Sequence, residues 1–199
     1  MFLLYPEGVR GRSGTPGAAS MDEVERVLLR REAIAKRVQE LGAEISEHLQ
    51  GDQPLLAVSI LRGAVIFAAD LVREINGMVE MDFMAVSSYG DSSVSSGAVR
   101  VLKDLDESIE GRDVLIVEDI IDTGRTLNFL LQNLRARKPR SMQICTLLDK
   151  VDRREVDVPV DYVGFRIPDA FIVGYGLDYA GRYRNHPELL ILRTEAVAP

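Results

Sequence analysis

The sequence predicts an α/β fold in which a parallel sheet carries helices on both faces. Short runs of apolar, mostly β-branched residues recur along the chain, such as residues 114–117. These runs are too short for helices and are typical of strands buried on both faces. Segments with apolar residues at helical spacing separate several of them. Because right-handed crossovers join such strands, the alternation predicts a parallel sheet.

The predicted elements follow one another in a regular order. A short strand at residues 27–29 precedes a helix, in which apolar residues recur at helical spacing from Ile34 to Leu49. Residues 87–97 are rich in serine and glycine and predict a mobile loop. The other elements are strands at 55–60, 79–86, 99–102, 114–117, 142–148, 162–165, 171–174 and 190–192, and helices at 64–75 and from Leu127 to Leu134.

Composition limits the classes of function. The chain has 199 residues, enough for one sizeable core, and 46% of them are hydrophobic. The net charge of −7 argues against nucleic-acid binding, which needs a basic surface. Cys145 is the only cysteine, so no intrachain disulfide forms, and its apolar neighbours predict a buried thiol. No apolar run approaches the length of a membrane span, so we expect a cytoplasmic protein without a membrane partner.

Residues 1–20 differ from the rest of the chain. Four glycines and two prolines punctuate them, and the apolar residues 2–5 are too few for the core of a signal peptide. We therefore predict a poorly ordered extension, followed by a single domain over residues 21–199. Met21 is an alternative start.

Residues 114–126 are where we expect the chemistry. The buried strand is followed by two carboxylates, Glu118 and Asp119, and then by a polar turn, residues 122–126, that opens a helix. Carboxylates bind hydroxyl donors or a hydrated cation. Free N–H groups at a helix N-terminus favour an anion. A phosphorylated sugar with its metal satisfies both demands.

This stretch resembles the motif by which type I phosphoribosyltransferases bind 5-phosphoribosyl-1-pyrophosphate (PRPP). The resemblance extends from about Glu25 to Leu192 and is greatest to the purine-salvage members. It implies transfer of the 5-phosphoribosyl group of PRPP to hypoxanthine, and also to guanine, giving IMP or GMP and pyrophosphate. It also implies Mg²⁺, a homodimer or homotetramer, and a small hood of terminal segments over the carboxyl edge of the sheet.

The resemblance assigns the PRPP contacts. Glu118 and Asp119 would accept hydrogen bonds from the ribose hydroxyls, and residues 123–126 would hold the 5′-phosphate. In the family, the peptide matching Leu61–Arg62 in the pyrophosphate loop is often cis. Ser88 and Tyr89 match the start of a mobile lid, although they would otherwise belong to a surface loop. The implied PRPP and nucleotide contacts are Leu61, Arg62, Gly63, Ser88, Tyr89, Glu118, Asp119, Asp122, Thr123, Gly124, Arg125, Thr126 and Arg184.

The resemblance also assigns the base contacts. Asp122 would be the general base facing purine N7, but an N-cap is a common role for such an aspartate. Lys150 would contact the exocyclic oxygen at purine C6, Phe171 would stack on the base, and the backbone of Ile172 would read the base edge. Without the resemblance, Lys150 would be a solvated strand-end lysine and Phe171 a core residue. Asp178 is the remaining base-side residue. The carboxylates implied at the metal are Glu118, Asp119 and Asp178.

Two other functions stay open. Some proteins with this fold are regulators that sense nucleotides and bind RNA, which the acidic charge of this chain opposes. The other is an enzyme that prefers xanthine. Discrimination among hypoxanthine, guanine and xanthine depends on backbone placement near Ile172 and Asp178, which the sequence does not specify.

Overall fold

The structure, a computed structural model, describes residues 21–49, 53–88 and 99–197. The extension predicted for residues 1–20 and most of the predicted serine-rich loop, with Tyr89, lie outside these residues. Within the described part of the chain, no helix is long and apolar enough to cross a membrane.

Each predicted strand and helix is found, with ends that differ by a few residues. The strands are β1 Val24–Leu29, β2 Leu55–Leu61, β3 Val79–Ser88, β4 Val99–Lys103, β5 Asp113–Ile121, β6 Ser141–Asp149, β7 Tyr162–Arg166, β8 Ile172–Val173 and β9 Leu189–Leu192. The α-helices are α1 Arg31–His48, α2 Val65–Glu74, α3 Arg125–Arg135 and α4 Thr194–Val197. Single 3₁₀ turns at Met21–Glu23 and Val151–Arg153, together with α4, were not predicted.

The main sheet has six strands in the order β4-β3-β2-β5-β6-β7. Its strands from β3 to β7 are parallel, as predicted, with Val58 of β2 opposite Ile116 of β5. The edge strand β4 is antiparallel to β3, so the sheet is mixed and the predicted parallel core is confirmed for β3 to β7. Only residues 89–98 separate these two strands, fewer than the dozen or more that a parallel crossover needs.

Helices cover both faces of this sheet, which confirms the predicted layers. Alternate side chains of β5 enter different layers because successive residues of a strand point to opposite faces. Leu115 and Val117 pack in the layer with α1 and α2, whereas Ile116 packs with α3. Cys145 lies fully buried in the first of these layers, as predicted, and burial raises the pKa of its thiol. The central strand is therefore held from both sides.

A second, three-stranded antiparallel sheet in the order β1-β9-β8 forms the predicted hood. Val24 of β1 lies opposite Leu192 of β9, so the hood joins early and late parts of the described chain. Two tyrosines anchor the loop between β8 and β9, residues 174–188, which we call the hood loop. The hydroxyl of Tyr175 donates to Asp70 of α2 over 2.6 Å, and that of Tyr183 donates to Glu23 over 2.5 Å.

Candidate active site

A cleft of about 340 Å³ lies at the carboxyl ends of β2 and β5. Ligand sites of open α/β sheets lie at this edge of the sheet. The cleft brings together predicted residues from four separate segments: the turn after β2, the end of β5, the turn before α3, and the hood loop. Those residues are Leu61, Arg62, Gly63, Glu118, Asp119, Asp122, Thr123, Gly124, Thr126, Asp178 and Arg184.

The acidic pair lies within β5 rather than just after it. Glu118 is paired with Thr146 of β6, and the ladder continues to Ile121. Burial and the adjacent Asp119 carboxylate raise the pKa of Glu118 well above its usual range. Burial also raises the pKa of Asp119, while the charge of Arg184 opposes that rise. Two neighbouring acids in such a site favour a ligand that brings hydroxyl donors or positive charge.

The turn after β2 packs directly against this pair. The peptide bond between Leu61 and Arg62 is cis. A Cβ atom added to Gly63 would lie 1.4 Å from Oδ2 of Asp119, so any other residue at this position requires the Asp119 carboxylate to move. The side chain of Arg62 is exposed at the cleft. The turn thus presents a cation beside the carboxylates.

The turn before α3 leaves the N-terminus of the helix without a side-chain cap. Gly124 is the N-cap residue, with φ of 82°, and no side chain caps the helix. The first N–H groups of a helix have no intrahelical partner; that of Arg125 donates to Oγ1 of Thr123 at 3.5 Å, a long bond that an anionic ligand can replace. The carbonyl of Thr123 accepts hydrogen bonds from the backbone N–H groups of Glu155 at 3.0 Å and Val156 at 3.1 Å. The segment after β6 therefore braces this turn.

Asp122 and Arg125 have partners outside the helix. Because the N-cap is Gly124 and no side chain caps the helix, the alternative role of Asp122 as an N-cap is wrong. Its Oδ1 instead accepts a hydrogen bond of 3.0 Å from Nε of Arg153. Arg125 forms an ion pair with Glu155, and its side chain is not among those that line the cleft.

The hood loop closes one side of the cleft. Arg184 forms an ion pair of 2.5 Å with Oδ1 of Asp178 and donates to the carbonyl of Gly176 at 2.6 Å. A Cβ atom on Gly176 would lie 2.1 Å from the carbonyl oxygen of Gly63, so the hood loop touches the turn after β2. Tyr175 also has a positive φ, which persists only where the surrounding structure enforces it.

Of the predicted base-side residues, Asp178 lines the cleft, whereas Lys150, Phe171 and Ile172 are not among its lining residues. Lys150 follows β6 and is 8% exposed, which excludes a solvated lysine, and its Nζ lies 3.3 Å from Oδ1 of Asp169. Phe171 is 40% exposed, so the alternative of a core residue is wrong. Its ring meets that of Tyr179 edge to face at 5.3 Å. Ile172 is buried in β8 opposite Ile191 of β9.

Sequence reasoning missed Arg153 and Asp169, which contact predicted site residues. The only signal was a run of mixed charges at residues 149–155, directly after a predicted strand. Ser88 ends β3, and Tyr89 lies outside the described residues, so the predicted lid has no structural account here. Among the described residues, no three histidine, cysteine, aspartate or glutamate side chains form a group that could bind a metal alone. The predicted metal residues therefore stay a prediction.

Known proteins are similar to this chain over most of its length. Residues 26–180 match the phosphoribosyl transferase domain family. The chain is 55% identical over 171 residues to the hypoxanthine-guanine phosphoribosyltransferase of Bacillus subtilis, covering 86% of this chain and 94% of that protein. It is 54% identical over 168 residues to the enzyme of that name from Mycobacterium avium, covering 82% of this chain and 83% of the relative.

A solved structure agrees with these relatives. The hypoxanthine phosphoribosyltransferase of Staphylococcus aureus superposes with a TM-score of 0.86 at 44% identity, covering 93% of this chain and all of the other. The family match contains β5, the turn before α3 and the hood loop as far as residue 180, which includes Asp178 but not Arg184. The chain therefore belongs to the phosphoribosyltransferase family and has its type I fold.

Proposed function

We propose that this protein is a purine-salvage enzyme that transfers the 5-phosphoribosyl group of PRPP to hypoxanthine and guanine. The products are IMP or GMP and pyrophosphate. The observation that carries the proposal is the cleft in which the acidic pair of β5, the anion-binding turn before α3 and the cations Arg62 and Arg184 meet. The names of the relatives from B. subtilis and M. avium support the same substrates.

Glu118 and Asp119 bind the ribose. Each carboxylate accepts a hydrogen bond from a ribose hydroxyl, which offsets the burial that raises the pKa of both groups. Positive charge builds on the ribose ring as the bond from C1 to pyrophosphate breaks. Negative side chains beside the ring stabilise that charge, and they act most strongly where water is excluded.

The two ends of PRPP bind on either side of the acidic pair. The 5′-phosphate is held by residues 123–126, through hydroxyls and the backbone N–H groups of the first turn of α3. The pyrophosphate is held by the turn of Leu61, Arg62 and Gly63 and by Arg184. Arg62 is exposed at the cleft and available to an anion. Arg184 already bridges Asp178 and the hood backbone, so its guanidinium is held in place.

The purine base lies toward Lys150 and Phe171. The exposed ring of Phe171 is free to stack on the base, and the backbone of Ile172 reads its edge. The ammonium of Lys150 donates to the oxygen at C6, and adenine, which carries an amino group there, leaves that donor unpaired. Asp122 accepts the proton from N7, so that N9 can attack C1 of the ribose.

Mg²⁺ fits the donor set of the cleft. Glu118, Asp119 and Asp178 supply carboxylate oxygens, the ligand type that Mg²⁺ prefers, and all three line the cleft. These residues would hold the ion together with phosphate oxygens of PRPP, as is usual for Mg²⁺ with phosphorylated substrates. When bound, the ion supplies positive charge that neutralises the pyrophosphate leaving group.

A steady-state assay tests the proposed function. Purified protein is given PRPP and Mg²⁺ with hypoxanthine, guanine, xanthine or adenine, and product and pyrophosphate are measured. We expect IMP and GMP, no turnover of adenine, and loss of turnover with excess chelator. A higher kcat/KM for xanthine would replace the proposed substrates. Absence of turnover with every base, together with binding of RNA, would favour a regulator.

Three further features stay predictions. They are the cytoplasmic location, the homodimer or homotetramer, and the single domain over residues 21–199.

A further inference from the structure

A row of side chains with alternating charge links Asp122, the proposed general base, to Lys150, the lysine proposed to contact the purine base. Nε of Arg153 donates to Oδ1 of Asp122 over 3.0 Å. Another nitrogen of the same guanidinium lies 3.4 Å from Oδ2 of Asp169. Oδ1 of Asp169 lies 3.3 Å from Nζ of Lys150. The order is therefore carboxylate, guanidinium, carboxylate, ammonium.

The backbone from Lys150 to Arg153, which carries two of these side chains, is fixed at both ends. The N–H of Lys150 donates to the carbonyl of Ile121 over 3.0 Å, which joins the end of β6 to the end of β5. The N–H of Arg153 closes a 3₁₀ turn onto the carbonyl of Lys150 over 3.0 Å. The partly buried ion pair of Arg154 with Asp149, at 2.7 Å, anchors the next residue. Arg153 thus projects from a well-anchored turn.

The chemistry of the substrate explains why such a link is useful. A 6-oxopurine presents its O6 and N7 atoms on one edge of the ring system. In the proposed reaction, Lys150 donates to O6 while Asp122 takes the proton from N7. The two side chains must therefore stand apart at the spacing of one base edge. Because they carry opposite charges, they attract each other and would occupy the place of the base if they paired directly.

We infer that Arg153 and Asp169 are positioning residues that hold Asp122 and Lys150 apart for the O6–N7 edge of a 6-oxopurine. This inference rests on the proposed function, because it assumes the roles given to Asp122 and Lys150. Arg153 supplies the opposite charge for Asp122, and Asp169 supplies it for Lys150. Neither Arg153 nor Asp169 touches the reacting atoms.

The exposure of these charged side chains predicts that variants at these positions still fold. Arg153, Asp122 and Asp169 have exposed side-chain fractions of 47%, 42% and 52%. Ion pairs this exposed contribute little to the stability of a protein. A change in kinetics without a change in melting temperature therefore separates a positioning role from a structural one.

The test uses Arg153→Met, Arg153→Lys and Asp122→Asn, with Arg140→Met as a control. Arg140 also pairs with an aspartate, Asp113, but lies at the start of the parallel strands, away from the cleft. Single-turnover rates, KM for PRPP and hypoxanthine, and melting temperatures are measured. For Arg153→Met we expect a rate about 10-fold lower, less than the about 10²–10⁴-fold typical of losing a general base. We expect KM for PRPP and the melting temperature to be unchanged.

Two comparisons sharpen the result. Arg153→Lys keeps the charge and should recover much of the rate, which loss of packing alone would not predict. Combining Arg153→Met with Asp122→Asn should slow the reaction little beyond Asp122→Asn alone, because both changes act on one group. Asp169→Asn should raise KM for hypoxanthine more than KM for PRPP.

The possible failures are distinct. If Asp122→Asn slows the reaction while Arg153→Met matches the wild-type enzyme, the positioning role is overturned and the proposed function stands. The role is also overturned if Arg153→Met slows the reaction equally with and without Asp122→Asn. If Asp122→Asn leaves the rate unchanged, both the general base and the positioning role are overturned.

Discussion

Gly63 and Asp119 are packed so closely that a Cβ atom on residue 63 would lie 1.4 Å from Oδ2 of the aspartate. The turn after β2 and the end of β5 therefore act as one unit. Any side chain at residue 63 must displace the Asp119 carboxylate from its observed position. The contact links the proposed pyrophosphate turn to the proposed ribose contact.

Gly63→Ala should lower kcat/KM for PRPP by about 10²-fold, since a displacement of about 1 Å in a catalytic site can cost that much. Gly77→Ala is the control, because a Cβ atom there meets only the flexible end of Leu49. Steady-state kinetics with varied PRPP and thermal melts of both variants make the comparison. Equal activity of Gly63→Ala and wild type would show that Asp119 does not need its observed position.

Asp122→Asn should slow the chemical step by about 10²–10⁴-fold, the usual contribution of a general base. Asparagine is nearly isosteric but does not accept the purine proton. The melting temperature should change little, because Asp122 caps no helix and its ion pair with Arg153 is exposed. Single-turnover kinetics measure the step directly, and PRPP binding is measured by calorimetry. An unchanged rate would remove Asp122 from the catalytic residues.

Lys150→Ala should impair use of hypoxanthine far more than binding of PRPP. The lost hydrogen bond is charge-assisted and is worth about 1.5–3 kcal/mol, or roughly 10- to 150-fold in kcat/KM. Lys36→Ala, which removes an exposed lysine of α1, serves as the control. Wild-type values of both kcat and KM for hypoxanthine in Lys150→Ala would contradict the assignment.

Asp82 should make folding stability depend on pH. The residue is 9% exposed, and although burial opposes the effect, hydrogen bonds from the N–H groups of Asp106 and Phe83 and the charge of Lys103 lower its pKa. A lowered pKa in the folded state means that stabilisation is complete above the pKa of the unfolded chain. It is lost as pH falls through the folded pKa.

Asp82→Asn should therefore lower the free energy of unfolding by about 1–3 kcal/mol at neutral pH, the range for an impaired buried hydrogen-bond network. The difference from wild type should shrink as pH falls below about 3.9, the unfolded pKa of aspartate. Urea unfolding at several pH values measures it, with Glu47→Gln on the exposed surface of α1 as the control. A difference that stays constant down to pH 2 would contradict the prediction.

Much of the fold could be predicted because its signals are local. The apolar run of β5 contributes side chains to both layers of the core. Residues 114–117 are all apolar, and this predicts burial of the strand on two faces. The end of β5 was harder to predict, because the ladder with β6 continues through Glu118 and Asp119 to Ile121. Backbone hydrogen bonds extend a strand without requiring apolar side chains. The reversed direction of β4 likewise depends on the length of a connection.

The candidate site could be predicted where its residues form a motif that the family resemblance joins to other segments, and not where only a contact between distant side chains defines it. The acidic pair and the turn before α3 form one continuous motif. By contrast, Arg153 and Asp122 are 31 residues apart in sequence, and nothing in the sequence specifies that pairing. Long charged side chains have many available partners, and only the packed backbone selects one. The contact of Asp169 with Lys150 was unpredictable for the same reason.

The pairing of β1 with β9 has a consequence for biosynthesis. Val24 is translated early, and its partner Leu192 near the end of the described chain. While a ribosome is still adding β9, the loop that carries Asp178 and Arg184 has no completed sheet to hold it. We therefore expect a nascent chain to assemble β5 and α3, which carry the proposed PRPP motif, before its hood exists. The cleft should be completed only once β9 has emerged from the exit tunnel.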